Sequence, residues 1–178
     1  MLFYAAVLLS LILIAGAIGT FVLPTELKVQ RVVTINKPSS EIFAYVKLIK
    51  NQNEWGPWFR KDPAMKQDFR GTDGTPGFVS AWNSTNDEVG EGEQEIIRIS
   101  EGSRLDTVIR FKRPFETQSD AFLTTETVGQ DQTKVTWGFA GTMPRPFNLM
   151  CLVVDLDKEV GRDFEQGLSN LKTIMERQ

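Results

Sequence analysis

Glu91, Glu93 and Glu95 alternate along one strand-like run and so share a face. Aimed into an apolar cavity, such a carboxylate has a raised pKa and can work as an acid or a base. Aimed at water, it only solvates a strand, which is the expected arrangement for three alternating glutamates. Arg31 lies on the same face as Val29, Val33 and Ile35, where it either meets an anionic head group or snorkels at the sheet edge. The single cysteine, Cys151, sits among Met150, Leu152, Val153 and Val154 and is expected to be a buried, inert thiol. One cysteine excludes an internal disulfide framework and CxxC metal sites. The chain has no histidine, which excludes Ser-His-Asp and Cys-His catalysis and removes the usual general base. No catalytic constellation, metal site or cofactor is implied.

Charge is distributed unevenly. The chain has 178 residues with 20 basic and 23 acidic side chains, and the first charged residue is Glu26. A net charge of −3 argues against a nucleic-acid partner, which favours a basic face. Leu2 to Leu23 is apolar apart from Tyr4, Ser10 and Thr20, and Pro24 ends it. As a helix it extends about 33 Å, enough for a bilayer's hydrocarbon core. Ala15-Gly16-Ala17 could pass for a signal-peptidase site, but no basic residue precedes the run, which also exceeds the usual signal core. The expectation is an uncleaved single-pass anchor over residues 1–25, crossing the membrane through residues 2–23. Lys28, Arg31 and Lys37 follow it, so the positive-inside rule puts the remaining domain, 26–178, on the cytoplasmic side.

That domain must be built from alternating strands and two kinds of helix. Leu27 to Asn36 alternates as a strand, and Pro38-Ser39-Ser40 opens a helix of about 39–49 with Ile42, Phe43, Val46 and Ile49 on one face. A short helical turn carries Trp55 and Trp58 before Asp62-Pro63 breaks it. Strands follow at about 66–70, 77–83, 92–100, 104–113, 119–128 and 133–141, separated by short turns that indicate an antiparallel meander. A long helix of about 148–177 closes the chain, with Leu152, Leu156, Val160, Phe164, Leu168, Leu171 and Met175 as its apolar stripe. Gly161 and Gly167 within it each cost about 1 kcal/mol relative to alanine. Close approach to the sheet, or a slight bend, is the expected return.

This order of elements resembles the START-like helix-grip superfamily. So do local motifs: Pro38-Ser39-Ser40-Glu41-Ile42-Phe43, the Trp55-x-x-Trp58 pair, Gly90-x-Gly92, and Thr133-Lys134-Val135-Thr136-Trp137. Pro144-x-Pro146 and Asp163-Phe164-Glu165-x-Gly167-Leu168-x-x-Leu171-Lys172 complete the likeness, which covers about residues 27–176 and points to the polyketide cyclase/dehydrase and lipid-transport group. The resemblance implies an α+β fold in which a curved antiparallel sheet wraps the C-terminal helix around a cavity for an apolar ligand. It carries no catalytic residue over to this chain. With that fold, alternation turns Trp82, Ile97, Ile109, Phe111, Phe122, Trp137 and Phe139 toward the cavity, opposite Leu156, Val160 and Phe164; plain core packing is the other reading of the same residues. Trp55 and Trp58 either gate the mouth, rest in the bilayer interface or cap the core.

Three functions fit these residues. One is a monomeric, membrane-tethered carrier or sensor of a lipid or other apolar small molecule. The others are a cyclase/dehydrase-like enzyme using the same cavity, and a protein-interaction module with a filled core. An enzyme needs a buried, unpaired carboxylate, whereas an interaction module needs an exposed apolar patch.

Overall fold

The computed structural model describes residues 2–177; Met1 and Gln178, the outermost positions of the two expected segments, lie outside the described residues. Helix α1 spans Leu2–Val22 and leads into strand β1, Glu26–Ile35. Three short helices follow, α2 (Ser39–Val46), α3 (Gln52–Trp55) and α4 (Pro57–Lys61). Strands β2 (Lys66–Arg70), β3 (Val79–Asn83), β4 (Glu91–Ser100), β5 (Arg104–Arg113), β6 (Thr117–Gly129) and β7 (Gln132–Thr142) come next, and α5 (Leu156–Arg177) ends the chain.

The seven strands form one antiparallel sheet in the order β1-β7-β6-β5-β4-β3-β2. Strands β1 and β2, adjacent in sequence among the strands, lie at opposite edges. The segment α2–α4 therefore crosses from one edge to the other, and α5 packs beside it, against β1, β7, α3 and α4. An α+β fold with a curved sheet and a C-terminal helix across its concave face is the outcome.

Local sequence explains the boundaries. Helix α2 stops at Val46, earlier than its apolar spacing predicts. The N–H groups of Ile49 and Lys50 donate instead to the Asp73 carboxylate at 2.8 and 3.1 Å, holding Ile49–Asn51 as a separate 3-10 turn. Strand β3 starts at Val79 rather than 77, since Gly77 still turns the chain at φ +87°.

Helix α5 starts at Leu156 rather than near 148. Asp155 caps it, accepting the Lys158 N–H at 3.1 Å. The preceding Phe147–Leu152 is a 3-10 turn. Its Asn148 is fully buried and donates to the carbonyls of Thr20 and Leu23 at 2.9 and 3.2 Å. Two expectations are thereby corrected: Leu152 is not part of the helical stripe, and Cys151 is exposed rather than buried.

The core fills the end of the sheet remote from α1. Ile35, Ile42, Phe43, Val46, Phe78 and Ile96 meet Leu105, Leu123, Val135, Leu168 and Leu171 there, all nearly inaccessible to water. Helix α1 is long and apolar enough to cross a membrane, and Phe3, Leu8, Leu11, Ile14, Ile18 and Phe21 among its large apolar side chains are exposed.

Candidate functional site

Toward the α1 end of the sheet the packing opens into a cavity of about 330 Å³ between the concave face, α3–α4 and α5. Strand register fixes its position. Leu27 is one residue from the start of β1 and pairs with Gly141, Phe139 pairs with Ala121, Phe111 with Thr117, and Trp82 with Gly92. All of these lie where α1 leaves the sheet, and Leu27, Phe139, Phe111 and Trp82 border the cavity.

Seven of the ten expected lining residues come together here: Trp82, Ile109, Phe111, Trp137, Phe139, Val160 and Phe164. Their rings pack against one another. Trp137 stacks on Phe164 at 4.1 Å between centroids, and Trp58 meets Trp137 edge-on at 5.5 Å. Phe111 bridges Trp82 and Phe139 at 6.0 and 6.4 Å.

The other three lie elsewhere. Ile97 is the extra residue of a bulge, because Ile96 pairs with Thr107 while Arg98 pairs with Asp106; it is pushed to the outer face and is 46% exposed. Phe122 pairs with Gly138 on the convex face, where its ring covers the space a glycine leaves and Arg104 sits 4.4 Å above it. Simple alternation put both one position out of phase. Leu156, at the start of α5, borders a separate hollow with Thr25, Met143 and Leu152.

The tryptophan pair divides its work. Trp55 is fully buried against Trp137, at 4.8 Å, and closes the core. Trp58 borders the cavity and packs on Trp137 and Phe164. Neither ring lies free for a bilayer interface.

The cavity also has a polar side that hydrophobic periodicity does not reveal. The amides of Asn53 and Gln67 exchange two hydrogen bonds at 2.9 and 3.0 Å, and Gln94 donates to Thr107 Oγ1 at 3.1 Å. Gln52 and Ser80 complete that wall. Gln94 shares strand parity with the buried Ile96, the one signal that places it inward. At the rim, Lys61 Nζ joins Asp163 at 2.9 Å and Glu88 at 3.5 Å, linking α4, α5 and the β3–β4 loop.

The alternating glutamates face outward. Glu93 and Glu95 pair with Arg110, Glu93 also with Arg70, and Glu91 with Arg113. Arg31, only partly exposed, is engaged within the chain. It lies over Gly161 and is clasped by Asp157 at 3.0 Å and Glu165 at 2.7 Å, which hold its already high pKa higher still. In return its hydrogen bond holds the Asp157 carboxyl below the usual range. Gly161 and Gly167 thus serve close approach, the first to Arg31 and the second to Trp137 and Pro57.

Chemically the site is an aromatic box with neutral amide donors and acceptors, and its two acids are paired with one lysine at the rim. Such a site can hold and orient a molecule. Among the described residues, no group of three or more His, Cys, Asp or Glu could hold a metal ion.

Comparison with known proteins agrees with this architecture. Norcoclaurine synthase from Thalictrum flavum, solved with dopamine and hydroxybenzaldehyde, superposes with a TM-score of 0.61 at 8% identity, covering 89% of this chain and 91% of its own. The crystal structure of Ara h 8.0201 gives 0.58 at 14% identity over 86% and 99%. Aha1 from Colwellia psychrerythraea, solved as a dimer, gives 0.54 at 13% identity over 82% and 93%. At such identities the likeness shows the fold alone. No curated protein matches the sequence. The family model for polyketide cyclase / dehydrase and lipid transport matches residues 26–176, and with the helix-grip architecture this shows that the chain belongs to that family, within the START-like superfamily.

Proposed function

We propose that the protein is a membrane-tethered binding protein for a compact apolar molecule, held between the sheet and α5 with its polar group toward the amide wall. The cavity carries this reading: aromatic on one side, amide-lined on the other, and set at the end of the domain nearest α1. Its volume, about 330 Å³, lies at the low end of small-molecule sites, which run from about 300 to 1,000 Å³. That size favours a single-chain lipid or a polyketide-like ring system over a two-chain lipid. The family's description, which includes lipid transport, supports the same class of ligand.

The tether follows from residues 2–23, with the domain of residues 26–178 on the cytoplasmic side by its flanking basic residues. Only Leu23, Pro24 and Thr25 separate α1 from β1. Three residues reach about 10 Å, so the domain is held at the bilayer surface and a ligand can exchange with the membrane locally. Binding is favoured over acid–base catalysis because the cavity's carboxylates, Asp163 and Glu88, sit at the rim and share Lys61.

The test is saturable uptake of fluorescent fatty acids and aromatic polyketide analogues by a fragment of residues 26–178 shown to melt cooperatively. Val160 is only partly buried and borders the cavity, so Val160→Trp should fill the space and lower affinity at least tenfold while leaving the melt intact. If neither the panel nor co-purifying lipids show saturable binding, the ligand reading is lost.

A further inference from the structure

The 3-10 turn Phe147–Leu152 and the residue after it form an apolar surface that the cavity does not use. Phe147, Met150, Leu152 and Val153 are 44, 42, 66 and 82% exposed, an unusual density of bare apolar groups within seven residues. Phe115, from the β5–β6 turn, stacks on Phe147 at 4.8 Å and widens the patch.

What makes the patch informative is its fixed level along α1. Arg145 Nε donates to the Thr20 carbonyl at 2.6 Å, and Asn148 donates to Thr20 and Leu23. These bonds satisfy carbonyls that a helix C-terminus otherwise leaves open. Leu149 lies where a Cβ on Gly19 would touch it at 3.1 Å. The turn is therefore bound beside residues 19–23, the last turn of the apolar run, and the first charged residue comes only at Glu26.

We infer that this turn is a second membrane contact, seated in the headgroup–acyl boundary of the same bilayer that α1 crosses. The inference rests on the reading of α1 as a membrane-spanning helix. Given a spanning α1, residues 19–23 mark the edge of the hydrocarbon, and a turn bonded to them lies at that depth. Its apolar side chains then leave water for the interface, as those of interfacial segments do. Two contacts, the helix and the turn, fix the tilt of the domain. The end of the sheet that carries the cavity is then the end that faces the membrane.

Cys151, the single cysteine, is exposed on the turn and gives a direct reporter. The full chain is reconstituted in phosphatidylcholine vesicles and labelled there with an environment-sensitive fluorophore. A reference protein carries Cys151→Ser and Ser103→Cys, which moves the label to the exposed β4–β5 turn at the opposite end of the sheet. The expected result is blue-shifted emission from the Cys151 label, quenched several-fold more by shallow lipid-borne quenchers than the Ser103 label and several-fold less by aqueous iodide. Leu152→Glu with Val153→Glu, both at exposed positions, should reverse that pattern without releasing the protein from the vesicles. Equal iodide quenching at the two sites, in protein that floats with vesicles after an alkaline wash, overturns the inference and leaves the anchor standing. Failure to float overturns the anchor, and this contact with it.

Discussion

Gly161 and Gly167 stand in the same helix for different physical reasons, and the difference is measurable. A methyl group at Gly167 would lie 2.8 Å from the Trp137 ring, which Trp55, Trp58 and Phe164 hold in place. The ring cannot move aside, so Gly167→Ala carries an overpacking cost of about 1–3 kcal/mol that outweighs a helix-propensity gain of about 1 kcal/mol. At Gly161 the obstacle is the Arg31 guanidinium, the far end of a flexible side chain. Displacing it sacrifices only ion pairs that solvent screens, against the same propensity gain. Urea denaturation should show Gly167→Ala clearly destabilised and Gly161→Ala changed by less than about 1 kcal/mol. Equal losses at the two sites would mean that neither tight approach is the reason for its glycine.

At the scale of elements, α5 is fastened to β1 at both ends. Near its start, Arg31 bonds Asp157 and Glu165; near its end, Glu176 accepts the Asn36 N–H at 2.8 Å beside Lys172. The Asn36 amide holds the Glu176 carboxyl below its usual range, as Arg31 does for Asp157. A carboxylate depressed in the folded state adds stability above its unfolded pKa, about 4, and that stability is lost as pH falls through the lower folded value. Thermal stability should therefore decline below about pH 5. Asp157→Asn with Glu176→Gln should flatten that acid limb and lower the melting temperature at neutral pH; an unchanged slope would show that other carboxylates control it.

Most elements were legible in the sequence, because alternation in β1 and β5 and the stripe from Val160 to Met175 each report one buried face. What escaped was phase and polarity. The bulge at Ile97 shifts β4 by one residue, Phe122 fills a glycine's gap across the outer face, and the Asn53–Gln67 pair closes a cavity wall without any apolar signal. The start of α5 was also obscured, since Leu149, Leu152 and Val153 extend the apolar pattern into a turn whose business is with α1.

The whole molecule joins a helix-grip domain to α1 through side chains of the segment between β7 and α5, and the strength of that joint bears on the proposed function. A hinge would let the cavity wander; a bonded joint holds it in one attitude to the membrane. The bonds are few: Arg145 and Asn148 to the helix carbonyls, and the Met143 N–H to the Thr25 carbonyl at 2.7 Å. None of them reaches the core around Ile35, Phe43 and Leu171, so the sheet should not need α1 to fold. A fragment of residues 26–178 loses the Thr20 and Leu23 acceptors, each worth about 1 kcal/mol, and leaves Asn148 without a partner for its amide. The turn should then open locally while the sheet stays closed. In hydrogen exchange, the amides of Leu149, Val153 and Val154, which bond within the turn, should lose protection by tenfold or more relative to the full chain in vesicles. Those of β5–β7 should be unchanged, and the fragment should remain a monomer with a single cooperative melt. Loss of protection throughout the sheet would instead make α1 part of the folding unit, and the tether would then be a structural element of the domain rather than an attachment to it.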